Sequence, residues 1–282
     1  MGKIIGTNPK PMGGTLVVIH ALSHALLRAV RSLAVASAVA ASSLLVIGVA
    51  HAERAPEVDL ELILAIDASL SVDAEEAQLQ RQGYIAALTD PRTVKAIQSG
   101  VNGRIAVFYF EWASEFYQRV VVDWTVVHDE ASARAVADAI AATPYRGERR
   151  TSISGALRYA AGQFGHYKSE RRVIDVSGDG RNNSGPSMEA TRAEVLAQGI
   201  TINGLPILND KPTFGGYGGY GYGPDPHLDR YYQDSVIGGP GAFMIPAESF
   251  QSFDQAILSK LIREIAATPS NDHRFAASGA RR

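Results

Sequence analysis

A largely apolar run, Val58 to Ile66 (VDLELILAI), ends abruptly at Asp67, and it narrows the folds open to this chain. Such a run suits a strand buried on both faces in the middle of a sheet. A strand of that kind needs helices above and below it. The spacing predicts a helix from Asp73 to about Leu88, with Asp73 as N-cap, Glu76 closing a capping box and Pro91 after the end. Strands are expected at Gly103 to Phe110 and Arg119 to Trp124, joined by a short polar turn that suggests an antiparallel hairpin at the sheet edge. Helices follow at 129–142 and 152–164, then a strand Arg172 to Ser177, a helix at 187–198, strands Ile200 to Ile207 and Ala242 to Ile245, and a helix at 249–266. This alternation is that of an α/β protein with a doubly wound, mostly parallel central sheet of six or so strands and helices on both faces.

The chain has 282 residues, of which 46% are hydrophobic and 20% charged, and it holds no cysteine. Disulfides, zinc-thiolate sites and thiol catalysis are thereby excluded together. Residues 1–52 contain Lys3, Lys10, Arg28 and Arg31 and no acidic residue, so all 29 acidic and 23 of the 27 basic side chains follow them. The acidic balance argues against a nucleic-acid surface and suits cations better than phosphates.

Leu33 to Ala50 is an uncharged run of small and apolar residues behind Arg28 and Arg31, and it leads into Ala50-His51-Ala52. That is the layout of a signal peptide cleaved after Ala52, with a long n-region that leaves Met12 as an alternative start. The expected organisation is a leader at 1–52, a domain at 53–268 and a flexible polar tail at 269–282. A periplasmic or secreted location follows, the alternative being anchorage in the inner membrane by an uncleaved leader. No other membrane contact is expected. Within the domain, 209–241 is a long Gly/Tyr-rich loop. It reads either as a flexible insert or as a contact surface using Tyr217, Tyr220 and Tyr222.

In open α/β sheets, ligands bind beyond the carboxyl ends of the strands. Three such corners carry hard oxygen donors: Asp67-Ala68-Ser69-Leu70-Ser71, Thr151-Ser152-Ile153-Ser154-Gly155, and Ser177-Gly178-Asp179-Gly180. Residues two apart in an extended loop point the same way, so Asp67, Ser69 and Ser71 can converge on one cation. Carboxylates, hydroxyls and water suit Mg²⁺ or Mn²⁺, and the lack of nearby His and Cys argues against zinc and copper. The bland alternative is that Asp67 and Asp179 only cap loops or helices.

These residues resemble the metal-ion-dependent adhesion site (MIDAS) of von Willebrand factor A domains, and the likeness covers nearly all of 58–267. The strings DASLSVDAEE, RIAVFYFEW, RTSISGALRYA, RVIDVSGDGRNN, GITINGLPI and VIGGPGAF resemble more narrowly the bacterial family of unknown function DUF1194. The resemblance implies an A-domain fold and a metal site of Asp67, Ser69, Ser71, Thr151 and Asp179, the aspartates acting in part through water. Arg149-Arg150-Thr151 departs from the usual Gly-Gly-Thr, which makes Thr151 the least secure ligand unless both arginines point outward.

Two carboxylates just neutralise a divalent ion, and one coordination position then stays open to an incoming carboxylate. The expected function is therefore binding of another protein, not catalysis. The main rival, a metal-dependent phosphoesterase, lacks a phosphate loop, a nucleophile elbow and a zinc-protease helix. Its only nameable base is Asp175, which reads better as a paired buried carboxylate. A structural envelope protein with a degenerate site is the third reading. Glu111 and Trp112 are ambiguous between rim and core, core being favoured for the tryptophan.

Overall fold

The computed structural model describes residues 55–208 and 225–267. Strand β1 (Glu61–Asp67) is buried along its whole length. It pairs in parallel with β2 (Ile105–Trp112) on one side and β4 (Arg172–Gly178) on the other. Strand β3 (Gln118–Val127) adds to β2 in antiparallel fashion, and β5 (Thr201–Pro206) adds to β4 in parallel. The order is β3-β2-β1-β4-β5, which puts a largely apolar, fully buried strand in the centre, as its composition demands.

Side-chain alternation divides the core into two layers. Leu62, Leu64, Ile66, Val107 and Tyr109 face one side, against α1 (Ala74–Thr89), α3 (Glu130–Ala142) and α7 (Phe253–Ala266). Ile63, Ala65, Phe108, Phe110 and Trp112 face the other, against α4 (Ile153–Ala161), α5 (Met188–Ala197) and the short α6 (Leu228–Tyr231) with the wider turn Tyr232–Val236 that continues it. Trp112 is therefore a core residue. The expected capping box closes α1: Asp73 Oδ1 accepts the N–H groups of Glu75 and Glu76, and Glu76 accepts that of Asp73. Gly83 is a poor residue for a helix interior. It is needed there because a Cβ would stand 2.6 Å from the ring of Phe253, where α1 and α7 meet.

Two expectations need correction. Pro91 does end α1, but it also opens a further helix, α2 (Pro91–Gln98), with Asp90 as its N-cap. Proline suits the first helical position because its missing N–H would be unsatisfied there in any case. The segment 242–245 is not a strand. It runs beside β5 with intermittent bonds, Ile245 N–H to Gly204 O and Ala247 N–H to Pro206 O. Gly204 N–H reaches Phe243 O and Leu208 N–H reaches Ala247 O, but the rung between them would need an N–H from Pro206 of β5, which proline lacks, so a continuous ladder cannot form. The sheet has five strands. The loop expected at 209–241 contains α6 and its continuation in its later part. Tyr217, Tyr220 and Tyr222 lie outside the described residues, as do the leader and the tail. Among the described residues, no helix is long and apolar enough to cross a membrane.

One layer hides a polar knot. Asp175 of β4 faces α7, where Lys260 Nζ lies 2.5 Å from its carboxylate; Lys260 also bonds Glu264, one turn on. Asn203 of β5 donates to Glu264 at 2.9 Å and accepts the Phe243 N–H at 3.0 Å. Asp175 thus has the buried partner that its position in a strand required. Two carboxylates share one ammonium in a dry place, so the knot carries an excess negative charge when fully ionised. Burial first, then Glu264, pushes the Asp175 carboxyl up to about 7, with Lys260 pulling the other way.

Removing the only cation should be severe: Lys260→Met is expected to cost about 3–5 kcal/mol in denaturant unfolding, the usual penalty for orphaning buried charge. The folded protein also keeps a proton on Asp175 that the unfolded chain, titrating near 3.8, gives up earlier. Stability therefore falls as pH rises from about 4 to about 7. Melting curves should show this decline, and Asp175→Asn should make it shallower. Gly83→Ala, which ordinarily stabilises a helix by about 1 kcal/mol, should lower Tm here by displacing Phe253.

Candidate metal site at the carboxyl edge of the sheet

β1 and β4 are neighbours whose following segments leave toward opposite faces, α1 on one and α5 on the other. A crevice opens where such connections diverge. Asp67 is the last residue of β1 and Asp179 the first after β4. Both lie in that crevice.

Two of the expected loops meet there through a chain of hydrogen bonds. Asp67 Oδ1 accepts the Ser69 N–H at 2.7 Å, the Ser69 and Ser71 hydroxyls are 2.8 Å apart, and Ser71 Oγ donates to Asp179 Oδ1 at 2.7 Å. Leu70, between the serines, is exposed and points elsewhere. Thr151 is buried, and its Oγ1 stands 3.8 Å from where a Cβ on Gly180 would be. Asp67, Ser69, Ser71 and Asp179 are thus linked, and Thr151 lies beside Gly180, the residue after Asp179. Arg149 and Arg150 are both exposed. The chain reverses at Arg150, whose φ of 71° makes it the one non-glycine residue with positive φ among the described residues. That conformation costs a side-chain-bearing residue about 1–2 kcal/mol. It lets Thr151 turn inward, where its N–H reaches Asn183 Oδ1 at 2.9 Å and its carbonyl takes the Asn183 N–H at 2.8 Å.

The electrostatics are unfavourable for bare carboxylates. Burial raises Asp67 well above the ordinary carboxylate range, and the charge of Asp179 raises it further. Asp179 is pushed up to about 6 by burial, opposed by the Ser71 hydroxyl and reinforced by Glu76. Asp67 Oδ2 is buried with no hydrogen-bond partner. A buried acceptor left in that state is costly unless something else meets it. A Cβ on Gly178 would lie 2.8 Å from this oxygen and 2.9 Å from the Tyr232 hydroxyl, so only glycine fits. Two carboxylates and three hydroxyls, with one carboxylate oxygen unmatched, form a donor set of the kind hard divalent cations take. Among the described residues, no group of three or more His, Asp or Glu side chains could hold a metal. Any ion at this site would therefore depend on the hydroxyls.

Several contributors escaped the sequence reading. Tyr232 reaches the crevice from the far end of the long loop, and its buried hydroxyl has no partner. Asn182, Asn183 and Ser184 tie the β4–α5 loop to the start of α4, Asn182 Oδ1 accepting the Ser154 N–H at 3.0 Å and the Ser184 carbonyl accepting the Ser152 hydroxyl at 2.9 Å. Arg181 pairs with Asp225 and lies over the Tyr231 ring. The two asparagines follow directly on Asp179-Gly180-Arg181, so their closeness in sequence was a usable signal. Tyr232 offered none. Glu111 is neither rim nor ligand: Arg81 and Arg119 pair with it and also hold the carbonyls of Thr143 and Pro144.

The fold is similar to that of several solved structures. One is proximal thread matrix protein 1 from the mussel byssus with a zinc-occupied MIDAS motif, at TM-score 0.54 and 14% identity over 75% of this chain and 49% of that one. Another is the pilus adhesin SpaC of Lactobacillus rhamnosus GG in an open conformation, at TM-score 0.54 and 13% identity over 76% of this chain and 31% of that one. A third is a von Willebrand factor type A protein of Catenulispora acidiphila, at TM-score 0.49 and 15% identity over 74% and 43%. The chain thus spans about half the length of the mussel protein and under a third of the adhesin. At these identities the likeness concerns the fold alone. No curated protein sequence matches the chain. The family model for "Protein of unknown function (DUF1194)" matches residues 57–269, most of the chain, and the chain belongs to the DUF1194 family.

Proposed function

We propose that this chain is an exported, metal-dependent protein-binding module. Asp67, Ser69, Ser71, Thr151 and Asp179 would hold Mg²⁺ or Mn²⁺, and a carboxylate presented by another protein would complete the ion's coordination. The observation that carries the reading is the unmatched, buried Asp67 Oδ2 at the end of a hydroxyl chain running to a second carboxylate. When bound, the metal supplies positive charge and an exchangeable coordination position. The chain's own residues orient the donors: Ser69 N–H fixes one oxygen of Asp67, Ser71 fixes Asp179, and Asn183 fixes Thr151. The MIDAS motif of the mussel protein and the adhesive role in the name of the pilus protein agree with this reading.

Binding without turnover is favoured by where the candidate bases lie among the described residues. His128, His166 and His227 are exposed, and Asp175 is held by Lys260 among buried groups against α7. The leader-like pattern at 33–52 supports a periplasmic or secreted location, with inner-membrane anchorage as the alternative.

Calorimetric titration of Mg²⁺ and then Mn²⁺ into the chelator-treated protein should give saturable binding. Tm should rise by an amount equivalent to about 2.7 kcal/mol at a hundredfold excess over Kd. Asp67→Asn keeps an oxygen for the Ser69 N–H, so the variant should fold, yet neither heat nor Tm shift should remain. Absence of both effects in the wild-type chain would sink the proposal.

A further inference from the structure

Beside the candidate metal site lies a patch of charge opposite in sign to the rest of the chain. Arg146, Arg149 and Arg150 are all exposed, and among the described residues none of their guanidinium groups has an ion-pair partner. The basic side chains elsewhere at this edge are engaged: Arg81 and Arg119 with Glu111, and Arg181 with Asp225. The acidic residue within the patch, Glu148, is turned to the backbone, its Oε1 accepting the Arg149 N–H at 2.7 Å. The patch is fixed against the first donor loop. Leu70 N–H bonds Glu148 O at 3.0 Å and Glu148 N–H bonds Ala68 O at 3.1 Å, a short parallel pairing of the two loops. Tyr117 OH also holds the Arg146 carbonyl at 2.7 Å. Leu70 is 59% exposed and its side chain lies against Gly147. Among the described residues, Arg150 is the one positive-φ position not held by glycine, which would be free of strain there. Such an outlier directs attention to a use for the side chain.

We propose that Arg149 and Arg150 form a second anion-recognising point next to the metal, so that the preferred ligand is an acidic peptide segment with two carboxylates, one for the ion and one for the arginines, lying over Leu70. This rests on the metal-dependent reading above and names its partner chemistry. Arg149 and Arg150 directly precede Thr151, and the left-handed turn at Arg150 keeps Arg149 closer to it than the roughly 7 Å of two extended residues. A carboxylate two residues beyond the metal-bound one lies within reach of a long arginine side chain at that spacing. Guanidinium groups grip a carboxylate with paired N–H donors, so position as well as charge is read.

The test uses the whole chain with Mg²⁺ and two blocked peptides, one with the sequence Gly-Asp-Gly-Gly-Gly and the other Gly-Asp-Gly-Glu-Gly. Mg²⁺ uptake is measured first for the wild type and each variant. The two-carboxylate peptide is expected to bind the wild type about tenfold more tightly, the worth of one charge-assisted contact. The double variant Arg149→Ala/Arg150→Ala should take up Mg²⁺ normally and bind both peptides alike. Arg150→Gly should lose part of the preference while melting no lower than wild type, which separates recognition from folding. With Mg²⁺ uptake intact, the arginine point is overturned by equal affinities in the wild type, by no binding of either peptide, or by a preference undiminished in the double variant. If the wild type takes up no Mg²⁺, the metal reading falls and the two-point scheme with it.

Discussion

Two carboxylates at the ends of adjacent parallel strands, one buried and one half-buried, set the terms for the upper edge of this domain. Asp67 and Asp179 each lie above the ordinary carboxylate range because of burial, and the charge of Asp179 raises Asp67 further. The surrounding loops are arranged to bear this arrangement, not to avoid it. Ser69 and Ser71 link the two groups, Gly178 leaves room where any side chain would collide with Asp67, and Asn183 holds Thr151 at the rim. Each of these contacts positions an oxygen, and none supplies a positive charge. A divalent cation is the partner that would reverse the electrostatic cost.

The contrast with the second buried charge cluster is instructive. Asp175 and Glu264 also lie close together in a dry layer, but there the protein supplies its own cation in Lys260 and adds Asn203 to bind Glu264. That knot joins β4, β5 and α7 and needs nothing from outside. At the crevice, among the described residues, no basic side chain pairs with Asp67 or Asp179, and Arg149 and Arg150 are exposed. One site is closed by its own lysine, whereas at the other the carboxylates meet only hydroxyl and backbone donors.

Distance along the chain is bridged at this edge by small polar contacts. The loop after β4 is laced to the start of α4 by Asn182, Asn183 and Ser184, and the loop before α4 is paired with the first donor loop through Glu148. The Arg81–Glu111–Arg119 group holds the chain at Thr143 and Pro144, just before the arginine patch. Three segments far apart in sequence are thus braced by the same few bonds that orient the donors.

The residues alone determined the central strand, the α/β alternation, the capping box of α1 and the location of the oxygen-bearing corners, because these depend on local periodicity and on which residues terminate a strand or helix. Asp67-Ala68-Ser69-Leu70-Ser71 declared its alternation in the same way. Only tertiary structure could show that 242–245 fails as a strand, since the missing rung belongs to Pro206 on the neighbouring β5. Only it could bring Tyr232 to Gly178 and Lys260 to Asp175, contacts between residues more than 50 positions apart. The outward turn of Arg149 and Arg150 was likewise a matter of packing: the left-handed turn at Arg150 comes directly before Thr151, which is held by Asn183 on another loop. Local pattern specifies elements and their ends, whereas pairing across layers is decided by which side chains share a buried volume once those elements are assembled.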